Sequence, residues 1–323
     1  MILRFRLNFL KFLGKMWVEK FVSLMRTKAR GGYVPNRERN PHSIKNYLAY
    51  VFLRLMWKRI FIFERKHILG IDRRGLLMAG KWTVQKADNF EQTCCILAFL
   101  LEEYNRIFGE DIMFNENCIV FNDPRSNCPM LITNMTPVHI RLAQESLSYW
   151  AQTVFQLSHE MCHYAIRQRK ENKGFTLSWF EEIVCEAISL YALEYASKKW
   201  GKCKLAEIQP LFAQSCAAYL SQELTKTFTN EFEQCNTIEK LIEYERKGFP
   251  ENQRESHRVE RNFVYRAISH NPQEVKCVID YTRYVEGNGV TIDFEKWIQE
   301  DNSNFLKELR KIQPVTIESI VTV

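Results

Sequence analysis

Several features that identify common protein classes are missing from this chain of 323 residues. No run of apolar residues approaches the roughly 18 that a transmembrane helix needs. The N-terminal stretch is apolar but repeatedly charged, and it has no small-residue cleavage site, so we expect no secretory signal. Internal repeats and low-complexity tracts are also absent, which argues against a solenoid or fibrous protein. Hydrophobic residues make up 46% of the chain and charged residues 26%, as in an ordinary globular protein.

The ten cysteines never form a C-x-x-C pair, which argues against a structural zinc ribbon. Several of them fall within apolar helical patterns, where a free thiol behaves as a small hydrophobic side chain. This usage favours a reducing compartment, and we expect a cytoplasmic protein. The even number of cysteines still permits disulfides.

Acidic residues are scarce at the N-terminal end. Residues 1–63 contain fourteen Lys and Arg but only Glu19 and Glu38, a net charge of +12, so the remainder carries −5 of the total +7. A nucleic-acid binder would carry its basic charge on the main domain, so we expect no nucleic-acid partner. Residues 1–30 fit a basic amphipathic helix with three interpretations: peripheral contact with a membrane or a protein partner, packing on the main domain, or an extension before a start at Met16 or Met25.

Histidine is also rare, with seven residues, yet two of them stand four apart in Ser158-His159-Glu160-Met161-Cys162-His163. Residues at this spacing share one face of a helix. His159 and His163 can therefore hold one ion, and Glu160 can reach a water on that ion. This is the H-E-x-x-H pattern of zinc hydrolases, in which two imidazoles bind the metal and the carboxylate acts as general base.

A catalytic zinc usually takes three protein ligands, and Glu182 is the best candidate for the third. The stretch Ser178-Trp179-Phe180-Glu181 predicts a capping box at the start of a second helix, with Ser178 as N-cap and Glu181 reaching back to it. Glu182 is then left to face the metal. Glu186 lies one turn further along the same face, where it can accept the outer N–H of a ligand histidine.

These residues resemble the zinc signature of the gluzincins, the clan of thermolysin and aminopeptidase N: H-E-x-x-H, eighteen residues, then Glu. Trp179-Phe180-Glu181-Glu182 resembles the W-x-x-E of aminopeptidase N relatives, and Glu182 to Glu186 resembles the E-x-x-x-D of thermolysin relatives. The resemblance covers roughly residues 75–200. The chain lacks the G-x-M-E-N substrate-anchoring motif, so the resemblance favours an endopeptidase over an aminopeptidase.

The apolar periodicity around the motif predicts a helix, a small group of strands and two more helices. The predicted helices run from Asp88 to about Phe108, over 148–169 and from Ser178 to about Gly201. The predicted strands are 76–83, 118–121, 130–133 and 138–142. Residues 203–310 read as mostly helical. This order is the one expected for a gluzincin upper lobe followed by a helical lower lobe.

We expect an α+β fold with three parts. The charge distribution marks a basic N-terminal helical segment and linker at 1–66, and the resemblance implies a zincin-like catalytic domain at 67–202 followed by a helical lobe at 203–323. In the gluzincins an edge strand pairs with the substrate backbone, and we expect Val138–Leu142 to be that strand. Its His139 points either into the cleft or to solvent. The helical lobe often supplies an oxyanion stabiliser, for which His257 and Tyr265 are candidates by position alone.

The sequence thus favours a zinc metallopeptidase that acts on a peptide or protein substrate, with Zn²⁺ held by His159, His163 and Glu182 and with Glu160 as general base. Two alternatives are open. One is an inactive or regulatory zinc-site protein whose basic N-terminus docks on a membrane or partner. The other is a zinc hydrolase with a non-peptide substrate.

Overall fold

The computed structural model describes residues 81–87, 89–170, 175–229, 231–247 and 251–315. All of them belong to one compact unit, Leu69–Val323. The predicted basic segment at 1–66 lies outside the described residues, as does most of the predicted first strand. Among the helices that are described, none has both the length and the apolar character needed to cross a membrane.

A four-stranded sheet is formed by the strands β1 (Trp82–Val84), β2 (Cys118–Asn122), β3 (Met130–Ile132) and β4 (Val138–Leu142). Their order across the sheet is β1-β2-β4-β3. The first three strands in that order run parallel, and β3 runs antiparallel to β4. Alternate residues of β2 and β4 are buried, as expected for strands that cover a core on one face.

The predicted edge strand was wrong. Val138–Leu142 pairs on both sides, in register with β2 from Cys118↔Val138 and with β3 from Met130↔Arg141. Among the described strands, β3 therefore forms the edge of the sheet on this side. Its Met130 side chain is 45% exposed. His139 lies within β4, where its Nδ1 is 2.8 Å from the carbonyl oxygen of Pro137.

Helices make up most of the described residues, so the structure is of mixed α+β class. They are α1 (Phe90–Phe108), α2 (Glu110–Met113), α3 (Trp150–Arg169), α4 (Ser178–Lys199), α5 (Phe212–Thr225), α6 (Ile238–Arg246), α7 (Arg258–His270), α8 (Phe294–Glu300) and α9 (Asn304–Leu309). Short 3₁₀ helices include Trp200–Lys202, Lys204–Glu207, Glu251–His257, Pro272–Tyr284 and Arg310–Ile312. The predicted helices around α1, α3 and α4 agree with these bounds within about two residues.

The two helices that carry the motif residues, α3 and α4, pack against each other at the centre of the unit. An apolar stripe at helical spacing anchors α3, and every member is buried: Trp150, Val154, Leu157, Met161 and Tyr164. Helix α3 also contacts β3 and β4. Helices α5 and α7 pack on α4, so residues on the two sides of the predicted boundary at 203 share one core.

Candidate metal centre

Three side chains converge between α3 and α4. His159 Nε2 lies 3.1 Å from His163 Nε2. Glu182 Oε2 lies 3.3 Å from His159 Nε2, and Glu182 Oε1 lies 3.3 Å from His163 Nε2. Of the described residues, these are the ones whose ligand atoms form a group that could hold a metal ion. The histidine pair follows from the i, i+4 spacing on α3, and the helix packing adds the carboxylate of Glu182.

The spacing of these atoms is close enough for one shared ion. Bonds of about 2.0–2.1 Å to an ion at a tetrahedral centre set the ligand atoms roughly 3.3–3.4 Å apart. The two histidine nitrogens are 3.1 Å apart, and each lies 3.3 Å from a different oxygen of Glu182. Two imidazoles and one carboxylate are a donor set typical of catalytic zinc. Side-chain exposures of 4% for His159, 15% for His163 and 22% for Glu182 leave the carboxylate side open to solvent.

Glu160 lies next to the first histidine and is buried, with an exposed fraction of 3%. Burial raises the pKa of this carboxyl above its ordinary value, while the nearby His159 and His163 partly oppose the rise. A carboxylate whose pKa is raised in this way is a stronger base. The general-base role of Glu160 stays a prediction from the motif.

The predicted capping box was wrong. Helix α4 begins at Ser178 with Leu177 at the N-cap position, and no cap bond comes from a local side chain. Instead, the backbone N–H groups of Ser178 and Trp179 donate to the two carboxylate oxygens of Glu245, at 2.6 and 3.1 Å. A carboxylate also suits the positive end of the helix dipole. Because α6 supplies this cap, Glu181 is free for a different contact.

Glu181 contacts the second histidine of the motif. Its Oε2 lies 3.2 Å from His163 Nδ1, and a carboxylate can only accept, so Nδ1–H is the donor. This bond places the proton of His163 on Nδ1 and leaves the Nε2 lone pair for a metal. The outer-partner role predicted for Glu186 thus belongs, for His163, to Glu181.

Two further residues hold Glu181 in place. The ammonium of Lys170, at the end of α3, forms a buried ion pair with Glu181 Oε1. The hydroxyl of Tyr281 donates to the same oxygen and accepts from the Leu177 N–H. Burial raises the pKa of Glu181, but the opposing effects of His163 and Lys170 are larger, and the net shift is downward. Glu181 therefore stays ionised in a buried position.

Glu186 contacts neither motif histidine, contrary to the prediction. Its carboxylate lies 3.3 Å from Arg254 Nε and 3.4 Å from Arg261 Nη1. Two guanidinium groups attract the carboxylate more strongly than a neutral imidazole N–H does. His159 Nδ1 has no hydrogen-bond partner among the described residues.

The structure also contradicts both candidates for oxyanion stabilisation. His257 is fully buried, 3.8 Å from the carboxylate of Glu186, so it offers no surface to a substrate. The Tyr265 hydroxyl donates to Glu194 at 3.1 Å. Glu194 follows Glu182 by twelve residues on α4, which places it about 18 Å further along the helix.

Four site residues escaped the sequence reasoning: Lys170, Glu181 in its observed role, Arg254 and Tyr281. For Glu181 the local sequence does carry a signal. It lies beside Glu182, and a carboxylate next to a metal ligand can either bind the metal or accept a hydrogen bond from a ligand histidine. Lys170 directly follows α3, whereas Arg254 and Tyr281 come from distant parts of the chain, and Tyr281 is separated from Glu181 by 100 residues. No spacing rule connects such residues to the motif.

Replacing Glu181 by glutamine is expected to lower zinc affinity by about 10–100-fold, the usual effect of losing an outer carboxylate partner of a ligand histidine. The amide can present its NH₂ to His163, which disfavours the Nδ1–H tautomer. Titration of the metal-free variant with zinc measures the change. Glu186→Gln is the matched control, because Glu186 is a buried carboxylate on the same helix without a histidine ligand contact. Equal losses in the two variants would contradict the assignment.

The protonation of His163 makes the metal-free chain sensitive to pH. Burial lowers the pKa of His163, but hydrogen bonds to Glu181 and Glu182 outweigh it, and the pKa lies well above the ordinary 6.5. Protonated His163 therefore stabilises the metal-free fold fully below pH 6.5, and this contribution is lost as pH rises through the folded-state pKa. We expect the difference in Tm between the chelator-treated wild type and His163→Asn to shrink as pH increases from 6.5. A difference that grows with pH would contradict this.

Comparison of the chain with protein-family models, with curated proteins and with solved structures returned no match in any of the three.

Proposed function

We propose that this chain is a zinc-dependent metallopeptidase of the gluzincin type, with a zincin-like fold. The observation that carries the proposal is the convergence of His159, His163 and Glu182. The two histidine nitrogens are 3.1 Å apart, and each lies 3.3 Å from a different oxygen of the carboxylate. Zinc bound there would supply Lewis-acid chemistry, polarising a carbonyl and lowering the pKa of a water molecule.

The chain's own groups divide the remaining tasks. His163 binds through Nε2 because Glu181 holds its proton on Nδ1. Glu182 supplies the third ligand and a negative charge. Glu160 accepts the proton of the attacking water and passes it to the leaving amine. Its burial supports this role, because few waters compete for the carboxylate and its pKa is raised.

The architecture around the site supports a peptide as the substrate. Strand β3 is the edge of the sheet and runs antiparallel to the parallel strands. It also contacts α3, the helix that carries the two histidines. An extended peptide that added to this edge would gain main-chain hydrogen bonds beside the site. We therefore propose β3, rather than Val138–Leu142, as the strand that pairs with the substrate backbone.

A digest of a mixed peptide library by the zinc-loaded full chain tests the proposal. New peptide termini that are produced by the wild type and missing with Glu160→Gln would support it. Zinc that binds without cleavage of any peptide would favour the alternative of a regulatory zinc-site protein.

A further inference from the structure

Arg254 pairs with Glu186, a buried carboxylate on the helix that carries the candidate metal ligand Glu182. It belongs to the 3₁₀ helix Glu251–His257, and its Nε is 3.3 Å from Glu186 Oε1. Glu186 follows Glu182 by one turn of α4, so the two carboxylates share one face of the helix. Glu186 therefore binds the guanidinium of Arg254 about one helical turn from Glu182, the candidate metal ligand.

The carboxylate that holds Arg254 is itself fixed. Glu186 is 1% exposed and also contacts Arg261, whose Nη1 reaches Glu223 at 3.7 Å. Arg261 Nη2 donates to the backbone oxygen of Glu223 at 2.9 Å. Helices α4, α5 and α7 meet in this group of charges, so the position of Glu186 does not depend on Arg254. Arg254 is then held on a rigid support.

The Arg254 side chain is partly accessible to solvent. It is 33% exposed, and it approaches Glu186 most closely through Nε. Burial lowers the pKa of Arg254, but Glu186, Glu182 and Glu160 outweigh it and raise the pKa overall. The guanidinium thus lies in the electrostatic field of both site carboxylates, Glu160 and Glu182.

We infer that Arg254 is a substrate-binding residue that takes the C-terminal carboxylate of a peptide, so that cleavage occurs close to carboxyl ends. This inference rests on the proposed peptidase function and narrows its substrate class. It replaces the unrestricted endopeptidase activity that the sequence resemblance favoured.

The shape of the guanidinium favours a carboxylate over a single oxyanion. Glu186 approaches it most closely at Nε, and a guanidinium carries five N–H donors, so the donors of Nη1 and Nη2 can face a ligand as a parallel pair. Two parallel donors match the two oxygens of a carboxylate, and such pairs are stronger than neutral hydrogen bonds. A lone carbonyl oxygen would use one of the two donors.

The distance from the metal ligand sets where the peptide would end. One helical turn advances about 5.4 Å, whereas an extended peptide advances about 3.3–3.6 Å per residue. A carboxylate held by Arg254 therefore belongs to the first or second residue beyond the cleaved bond. The expected products are single amino acids or dipeptides from the carboxyl end.

Binding and cleavage can be measured separately. The probes are N-acetylated pentapeptide mixtures of identical composition, made with either a C-terminal acid or a C-terminal amide. Their binding to the zinc-loaded full chain carrying Glu160→Gln is measured by calorimetry, and their cleavage by the chain without that change is followed by mass spectrometry. Each assay is repeated with Arg254→Met, with Arg254→Lys and with Arg310→Met. Arg310→Met is the control, because Arg310 is also a partly exposed arginine in an ion pair. Its side chain is 51% exposed, and its partner is Glu295 rather than a carboxylate of the candidate site.

We expect acids to bind about 10–100-fold more tightly than amides, the range of a hydrogen-bonded charge pair. Arg254→Met should abolish this preference, Arg254→Lys should keep part of it, and Arg310→Met should leave it unchanged. Equal binding of acids and amides by the chain with Arg254 intact would overturn the inference. So would an Arg254→Met variant that loses kcat equally on both forms, because that result indicates a contact with the reacting oxygen. Failure of the proposed function would be distinguishable, since neither probe would then be cleaved while the binding preference is measured independently.

Discussion

Replacing Glu160 by glutamine is expected to slow peptide hydrolysis by about 10²–10⁴-fold while zinc remains bound, because that is the usual contribution of general-base assistance. Glutamine has nearly the same size and still fits the buried position, where Glu160 is 3% exposed. It cannot accept the proton of the attacking water. The metal ligands, His159, His163 and Glu182, are left unchanged.

The measurement is kcat/KM on a peptide that the wild type cleaves, together with the zinc content of the same preparation. Gln156→Glu tests for a nonspecific charge effect, since Gln156 lies one turn earlier on α3 and its amide hydrogen-bonds to the backbone of Ala143. Near-normal turnover by Glu160→Gln would exclude Glu160 as the base. Loss of zinc in that variant would show that the residue binds the metal.

Replacing Glu182 by alanine is expected to weaken zinc binding by more than about 100-fold, above the range for the loss of an outer partner. This carboxylate approaches both histidine nitrogens at 3.3 Å, and its removal leaves two imidazoles to hold the ion. Burial raises the pKa of Glu182, but the two histidines outweigh it and hold the pKa well below its ordinary value. The carboxylate is therefore ionised and available to zinc at neutral pH.

Zinc titration with a competing chelator measures this loss. Glu194→Ala is the matched control, because Glu194 is on the same helix and binds Lys198, Tyr265 and Ser269. We expect the control to bind zinc like the wild type. If Glu182→Ala retained zinc while Glu181→Ala lost it, Glu181 would be the metal ligand and the assignment of Glu182 would be wrong.

Local periodicity was enough to predict the helices that carry the site. The i, i+4 spacing of His159 and His163 places both on one face of α3, and the observed helix, Trp150–Arg169, agrees with the predicted 148–169. The spacing from His163 to Glu182 leaves room for a turn and the start of α4. These features depend on residues close in sequence, which is why the three converging side chains could be chosen in advance.

Contacts between distant segments could not be predicted in the same way. The capping box failed because Glu245, 67 residues from Ser178, supplies the cap. The prediction for Glu186 was wrong because its carboxylate pairs with Arg254 and Arg261, which come from the helical region after residue 250. The edge strand was misplaced because parallel pairing between β2 and β4 inserts β4 into the sheet. Each error arose where a tertiary partner displaced the local one.

Elemental analysis can show whether His159, His163 and Glu182 hold one zinc ion. The full chain is purified without chelators and compared with His163→Ala purified in parallel. We expect one zinc per chain in the wild type and little in the variant, because the loss of His163 removes one of the three ligands. A wild type without zinc, or a His163→Ala variant that retains its zinc, would contradict this assignment.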